Sequence, residues 1–319
     1  MNELSTPFPT LAIVGPTGSG KSALALALAE RLERSGLAIE LVSVDSMQVY
    51  RGMDIGTAKP SASELAAVPH HLIDVLDPDE EGSVSWFQAE ADVAMAALRA
   101  RGATPMLVGG TGLYHRSVID GLAIPGRFPE VTSGLELEPD TTALHRRLAE
   151  LDPAAAARME PTNRRRVVRA LEVTIGTGRR FSSFGPGLES YPANDVVQVG
   201  LRVDRNDLGS RLEHRFDEQM RRGFLDEVSR LDARTAGWSR TAAQALGYRE
   251  LRAHLAGEMD LDTAIATAIV RTRQFAVRQD RWFRRDPRVT WFDASEPNLV
   301  AAVLDHAESC RTSPIASLR

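Results

Sequence analysis

The octapeptide GPTGSGKS, Gly15 to Ser22, constrains the fold of this chain more than any other stretch. An apolar run, Leu11-Ala12-Ile13-Val14, precedes it, and a helical pattern, Ala23-Leu24-Ala25-Leu26-Ala27-Leu28, follows. It fits G-x-x-x-x-G-K-[ST] in the strand–loop–helix setting that motif requires. Glycines let the backbone curl until successive N–H groups point inward at an anion, and a helix beginning near Gly20 adds its positive dipole end. Lys21 supplies a cation, and the Ser22 hydroxyl is placed to ligate Mg²⁺ bridging two phosphates. Gly15, Pro16, Thr17, Gly18, Ser19, Gly20, Lys21 and Ser22 are therefore the phosphate-binding candidates, with Ser22 the metal ligand. Lys21 is one of only two lysines, with Lys59, in an arginine-rich chain. The motif alone does not separate ATP from another phosphorylated ligand.

Residues 39–44, 71–76 and 106–108 read as further strands, and 21–35 and 85–101 as helices closed by Gly36 and Gly102. Strands alternating with helices at this spacing predict an α/β fold, a parallel sheet with helices on both faces. Ligands of such sheets bind beyond the carboxyl ends of the strands, which should gather Gly15 onward, Asp45 and Thr111 at one mouth. From Gly121 the pattern becomes helical, over 141–151, 153–159 and 163–176, until VVQVGLRV, Val196 to Val203, returns to a strand. The expected division is an α/β core at 10–121 and 195–292 with C-terminal helices, a helical insertion at 122–194, and a closing helix and disordered tail over 293–319.

Composition limits the class. The chain has 319 residues, 43% hydrophobic and 25% charged, with a formal net charge of −5 and a single cysteine, Cys310. An internal disulfide is impossible and a thiolate metal cluster is not expected. No run approaches the length of a membrane span, and MNELSTPFPT has neither a basic start nor an apolar signal core. The expectation is a cytoplasmic monomer. The charge balance argues against a uniformly basic nucleic-acid coat, but arginines cluster at Arg158–Arg180 and Arg271–Arg288. His70-His71 has no carboxylate or cysteine at ligand spacing, so packing is the better reading.

A nucleotide hydrolase of this architecture carries an acid for Mg²⁺ at the end of a second apolar strand. Here the fourth strand runs into Gly109-Gly110-Thr111 with no carboxylate, and the only acid just past an apolar strand in this region is Asp45, in VSVDSMQVY. Asp45 reads as a metal ligand, a general base, or a turn-capping aspartate.

Seven segments in order carry a resemblance to a known family: GPTGSGKS, SVDSMQVYRGMDIGTAKP (43–60), PHHLIDVLDP (69–78), LVGGTGLY (107–114), LDPAAAARMEPTNRRRVVRALEV (151–173), ALGYRE (245–250) and TRQFAVRQDRWFR (272–284). Together they resemble the tRNA dimethylallyltransferases, over about residues 10 to 292. The resemblance implies transfer of the dimethylallyl group of dimethylallyl diphosphate to N6 of adenosine 37 of tRNAs that read codons beginning with U. The partners would be the tRNA anticodon stem-loop and dimethylallyl diphosphate, with Mg²⁺ and without a membrane. It further implies that Asp45 binds the adenine amino group and takes its proton, that Thr111 lies near the reacting phosphate, and that Arg215 neutralises the departing diphosphate. Ser46, Met47 and Gln48, with Asp45 and Thr111, would face the tRNA; so would Arg164, Arg165, Arg166 and Arg169 on one helix and Gln244, Gly247 and Tyr248 on another. The target base must leave its stack for such a reaction, and arginine-bearing surfaces suit a single-stranded loop.

Plainer readings stand beside these. Arg215 also reads as a surface partner of Asp217 or Glu218, and Arg164–Arg166 as a solvated helix face. The segment Pro125 to Asp140 diverges from the family, with Thr132 where an arginine is common, and the family's Ala-Lys-Arg-Gln is Ala276-Val277-Arg278-Gln279 here. The rival functions are a small-molecule kinase with a nucleotide in the cradle, an adenylate isopentenyltransferase using AMP or ADP, and a phosphate-gated RNA-binding module without catalysis.

Overall fold

The computed structural model describes residues 8–185 and 187–312. In chain order its strands are β1 (Thr10–Val14), β2 (Ile39–Ser43), β3 (His70–His71), β4 (Thr104–Gly109), β5 (Val196–Arg202) and β6 (Val289–Asp293). They form one six-stranded sheet in the order β3-β2-β4-β1-β5-β6. Every pairing is parallel; Leu11 stands opposite Met106 on one side and Val197 on the other. Parallel strands need both faces covered, and β1 shows how this is met. Leu11 and Ile13 point to one face, where they join Leu24, Leu28, Val303 and Ala307. Ala12 points to the other, among Val42, Leu107, Phe87 and Leu98.

The helices are α1 (Lys21–Glu33), α2 (Ala62–Ala67), α3 (Val84–Ala100), α4 (Gly112–Ile119), α5 (Pro129–Glu136), α6 (Thr141–Leu151), α7 (Pro153–Ala156), α8 (Arg164–Thr177), α9 (Arg205–Arg221), α10 (Phe224–Asp232), α11 (Tyr248–Leu255), α12 (Leu261–Phe283) and α13 (Leu299–Thr312). Their starts follow local chemistry: Ser61 caps α2 with a reciprocal bond from Glu64, and Asp260 caps α12 by accepting from Thr263 N–H. The chain forms two compact units, one of residues up to Ile119 and from Ala193 onward, the other of Asp120–Pro192. The second has its own core, built on Leu144, Leu148, Val167 and Leu171.

Two expectations change. The third strand, read over 71–76, is only His70–His71, with an isolated bridge between Tyr50 and Leu76 beyond it. The cause is backbone: Leu72 at φ 62° and Asp74 at φ 56° occupy the left-handed region and break the extended run. Ahead of 141–151, the first helix expected in the insertion, Pro129–Glu136 forms another, with proline in its first turn. The expected disorder of 312–319 falls, beyond Thr312, outside the described residues. No helix among those residues is long and apolar enough to cross a membrane.

Candidate active site at the carboxyl edge of the sheet

The Gly15–Ser22 loop leaves β1 with Gly15, Gly18 and Gly20 at φ 142°, 80° and 93°. At Gly18 the positive φ and a close approach coincide, since a Cβ there would lie 3.0 Å from Leu212 of α9. Two later helices grip the loop through Thr17. Its N–H donates to Gln279 Oε1 of α12 at 2.8 Å, and its hydroxyl accepts from Arg215 Nη1 of α9 at 3.2 Å. The Thr17 amide is thus already engaged within the protein, and its hydroxyl is the group left at the site. The Ser19 hydroxyl is buried with no partner among the described residues, as expected of a donor awaiting an anion.

Lys21 Nζ donates to the Pro16 carbonyl at 2.7 Å. Burial drives its pKa down to about 8, with Asp45 pulling it up and Arg215 pushing it down. Burial likewise lowers Arg215, opposed by Asp45. A lysine and an arginine crowded into one half-buried recess repel each other until a polyanion arrives, which is the electrostatics of a diphosphate or triphosphate site. Arg215 is not a surface partner of Asp217 or Glu218; Glu218 pairs with Arg221 instead.

Asp45 follows β2 at the same edge. Its Oδ1 accepts from Met47 N–H at 2.8 Å and Gln48 N–H at 3.3 Å, so the turn-capping reading is correct for that oxygen. Its Oδ2 accepts no hydrogen bond among the described residues and is left for a ligand. Thr111 sits past β4, and its hydroxyl accepts from Ser46 N–H at 3.2 Å, joining the two strand-end turns. No side chain fits where β4 ends: a Cβ on Gly109 would lie 2.0 Å from the Val44 carbonyl. An acid for a nucleotide's metal is therefore sterically barred at that place.

The Gln48 side chain is spent internally: Oε1 accepts from the Ser43 hydroxyl at 2.8 Å, and Nε2 donates to the Thr57 and Ala58 carbonyls. Lys59 is clamped between the Tyr50 carbonyl, Asp54 and Asp74. The buried Glu227 accepts from the N–H groups of Asp54, Ile55 and Gly56 and from the Tyr248 hydroxyl at 2.5 Å. These three residues rigidify the loop after Asp45, and none of their roles is visible in local sequence.

The RNA candidates divide. Tyr248 and Gly247 are buried, with Tyr248 at 0% exposure, so neither offers surface; Gln244 is exposed. Burial and the Glu227 carboxylate raise the Tyr248 pKa. Within the helical unit, Arg164 donates to the carbonyls of Glu136, Glu138 and Pro139, capping the end of α5. Arg169 donates to Pro125 O, Gly126 O and the buried Glu172. Both are structural ties, whereas Arg165 and Arg166 are exposed, and their side chains have no partner among the described residues.

Ser22 is exposed at the second position of α1, and its hydroxyl has no partner among the described residues. Among the described residues no group of three His, Cys, Asp or Glu side chains could hold a metal. One hydroxyl suits Mg²⁺ that arrives on phosphate oxygens and keeps its waters, not a resident metal.

Residues 48–286 match the family model described as IPP transferase. A tRNA dimethylallyltransferase of a Nocardioides species is 46% identical over 92% of this chain and 93% of its own. One from Streptomyces coelicolor is 48% identical over 89% of this chain and 90% of its own. The chain belongs to the IPP transferase family. Among solved structures, the Bacillus halodurans tRNA isopentenylpyrophosphate transferase matches with TM-score 0.70 and 37% identity, covering 96% of this chain and 97% of that one. A eukaryotic dimethylallyltransferase acting on tRNA matches with TM-score 0.78 and 26% identity, covering 97% and 81%.

Proposed function

We infer that this chain is a tRNA dimethylallyltransferase, which moves the dimethylallyl group of dimethylallyl diphosphate onto N6 of adenosine 37 in the anticodon loop. The observation that carries this reading is the juxtaposition of Asp45, with one unengaged carboxylate oxygen, and the Lys21–Arg215 pair it acts on electrostatically. A base and a polyanion site at one mouth suit alkyl transfer with diphosphate as leaving group.

The adenine N6 forms a bond to C1 of the dimethylallyl group while the C1–O bond to diphosphate breaks. The bonding electrons leave on the diphosphate oxygen, and the N6 proton passes to Asp45 Oδ2. Hydrogen bonding to the carboxylate raises electron density on an otherwise poor nucleophile. Lys21 and Arg215, with the free amides of the cradle, neutralise charge that grows on the leaving group. The Thr17 hydroxyl, accepting from Arg215, has its own proton to give to a phosphate oxygen. Ser22 would be the protein oxygen on Mg²⁺ brought in by the diphosphate, and the ion would supply Lewis-acid charge neutralisation there. Arg165 and Arg166 serve tRNA binding, as does Gln244. ATP has no place in this reaction, and the glycine-only end of β4 speaks against the kinase reading.

The test is a competition. Full-length protein, Mg²⁺ and dimethylallyl diphosphate are given an unmodified anticodon stem-loop and AMP together. Prenylation of the RNA adenosine supports the reading; prenylated AMP alone would make the chain an adenylate isopentenyltransferase, and RNA binding with no product would leave a non-catalytic module.

A further inference from the structure

We propose that Gln279 is a positioning residue whose carboxamide sets the shape of the diphosphate cradle and its spacing from the loop that carries Thr111. The inference rests on reading Gly15–Ser22 as a diphosphate site. Gln279 is buried on α12, 262 residues from Thr17. Its Oε1 accepts the Thr17 N–H at 2.8 Å, and its Nε2 donates to the Gly110 carbonyl at 2.9 Å. One partner is a donor and the other an acceptor, so only a group offering both fits; an aliphatic or ionised side chain of this length does not.

Each bond has a consequence. The cradle has glycine at three positive-φ positions and little stiffness of its own. Fastening Thr17 N–H outward fixes the direction in which the following amides face. At the other end, Gly110 adjoins Thr111, whose hydroxyl holds Ser46 N–H, and Ser46 follows Asp45. A single side chain thus fixes the leaving-group site relative to the turn that bears the base, and small misplacements at such a site are costly in rate.

Independent support comes from the glycines of Gly109-Gly110-Thr111-Gly112. A Cβ on Gly110 would lie 2.3 Å from Gln279 Nε2, and one on Gly112 would lie 2.1 Å from Trp282 Cδ1. Neither glycine has a positive φ. Both are small because α12 seats Gln279 and Trp282 against them, so this loop is shaped around the helix.

Two variants of the full chain perturb the tie differently. Gln279→Met keeps length and loses both bonds; Gly110→Ala keeps the amide and pushes it away. Inorganic diphosphate binding is measured by calorimetry with Mg²⁺, alongside kcat and donor KM on an anticodon stem-loop, the Kd of that RNA alone, and Tm. The expected result for both is a diphosphate affinity about tenfold weaker, the scale of losing a neutral hydrogen bond and stranding its partner. Donor KM should rise in step and the RNA Kd stay within about twofold. Wild-type diphosphate affinity in a folded variant would overturn the proposal, as would an equal loss of RNA affinity, the mark of general packing damage. Should Gln279→Met not fold, Gly110→Ala decides. Wild-type protein that binds diphosphate without prenylating RNA would defeat the proposed function, while the variant-to-wild-type ratio would still decide the role of Gln279.

Discussion

Arg215 Nη1 reaches the Thr17 hydroxyl at 3.2 Å, joining α9 to a loop 198 residues earlier in the chain. In the proposed reaction this guanidinium would face the charge that grows on the departing diphosphate, and desolvation there would make it more effective than at a surface. Replacing Arg215 by Gln should lower kcat by roughly 10²-fold, with RNA affinity little changed. Rapid-quench kinetics and RNA titrations on the same preparation check this; matched losses in both would return Arg215 to a structural role.

Asp45 caps its turn and is the base in the proposed reaction, two roles that two substitutions separate. Asn keeps the oxygen that accepts from Met47 and Gln48 but cannot act as a base; Ala loses both functions. Asp45→Asn should cut turnover by roughly 10² or more and leave Tm near wild type. Asp45→Ala should do the same and also cost about 1 kcal/mol of stability, as lost caps do. Single-turnover assays with thermal melts distinguish the two.

Lys21 gives a pH signature. Its pKa is about 8 in the folded chain against an ordinary 10.5. The unfolded chain therefore holds the extra proton between those values, and the lysine's contribution to stability improves as pH rises through that window. Diphosphate needs the charged form, so its affinity should fall above about pH 8, with proton uptake on binding at that pH. Calorimetry in buffers of differing ionisation enthalpy measures the uptake; Lys21→Met should abolish it.

The arginines of α8 should behave in two classes. Arg165→Ala is expected to weaken RNA binding and reduce its salt slope, as loss of a phosphate contact does. Arg169→Ala should destabilise the helical unit by about 2 kcal/mol, because it removes one of the two cations that act on the buried Glu172, Arg127 being the other, and frees the Pro125 and Gly126 carbonyls. Filter binding across salt and differential calorimetry report the two effects.

What could be read from the sequence was local. The strand, the glycine turn and Lys21 stand within about a dozen residues, and Asp45 stands directly after an apolar run, so the periodicity and the motif placed both. The third strand was misread because apolar alternation in HLIDVL does not reveal that Leu72 and Asp74 take positive φ. The resemblance sets Tyr248 against the tRNA, whereas its buried ring and the bond from its hydroxyl to Glu227, 21 residues earlier, hold it inside the protein. Arg164 and Arg169 share a charged run with Arg165 and Arg166, and only helix phase against α5 and Glu172 separates ties from free cations. Gln279 carries no local signal, since both its partners lie on other elements.

The central claim is that the carbon tail migrates and the diphosphate leaves. Dimethylallyl diphosphate labelled with radiocarbon in the tail and radiophosphorus in the diphosphate tests it directly, with an unmodified anticodon stem-loop, Mg²⁺ and no nucleoside triphosphate. The expected result is radiocarbon on N6 of the loop adenosine and all radiophosphorus in free diphosphate, in equal amounts. Radiophosphorus on an acceptor, or RNA free of radiocarbon when the protein is folded and binds both substrates, would contradict it.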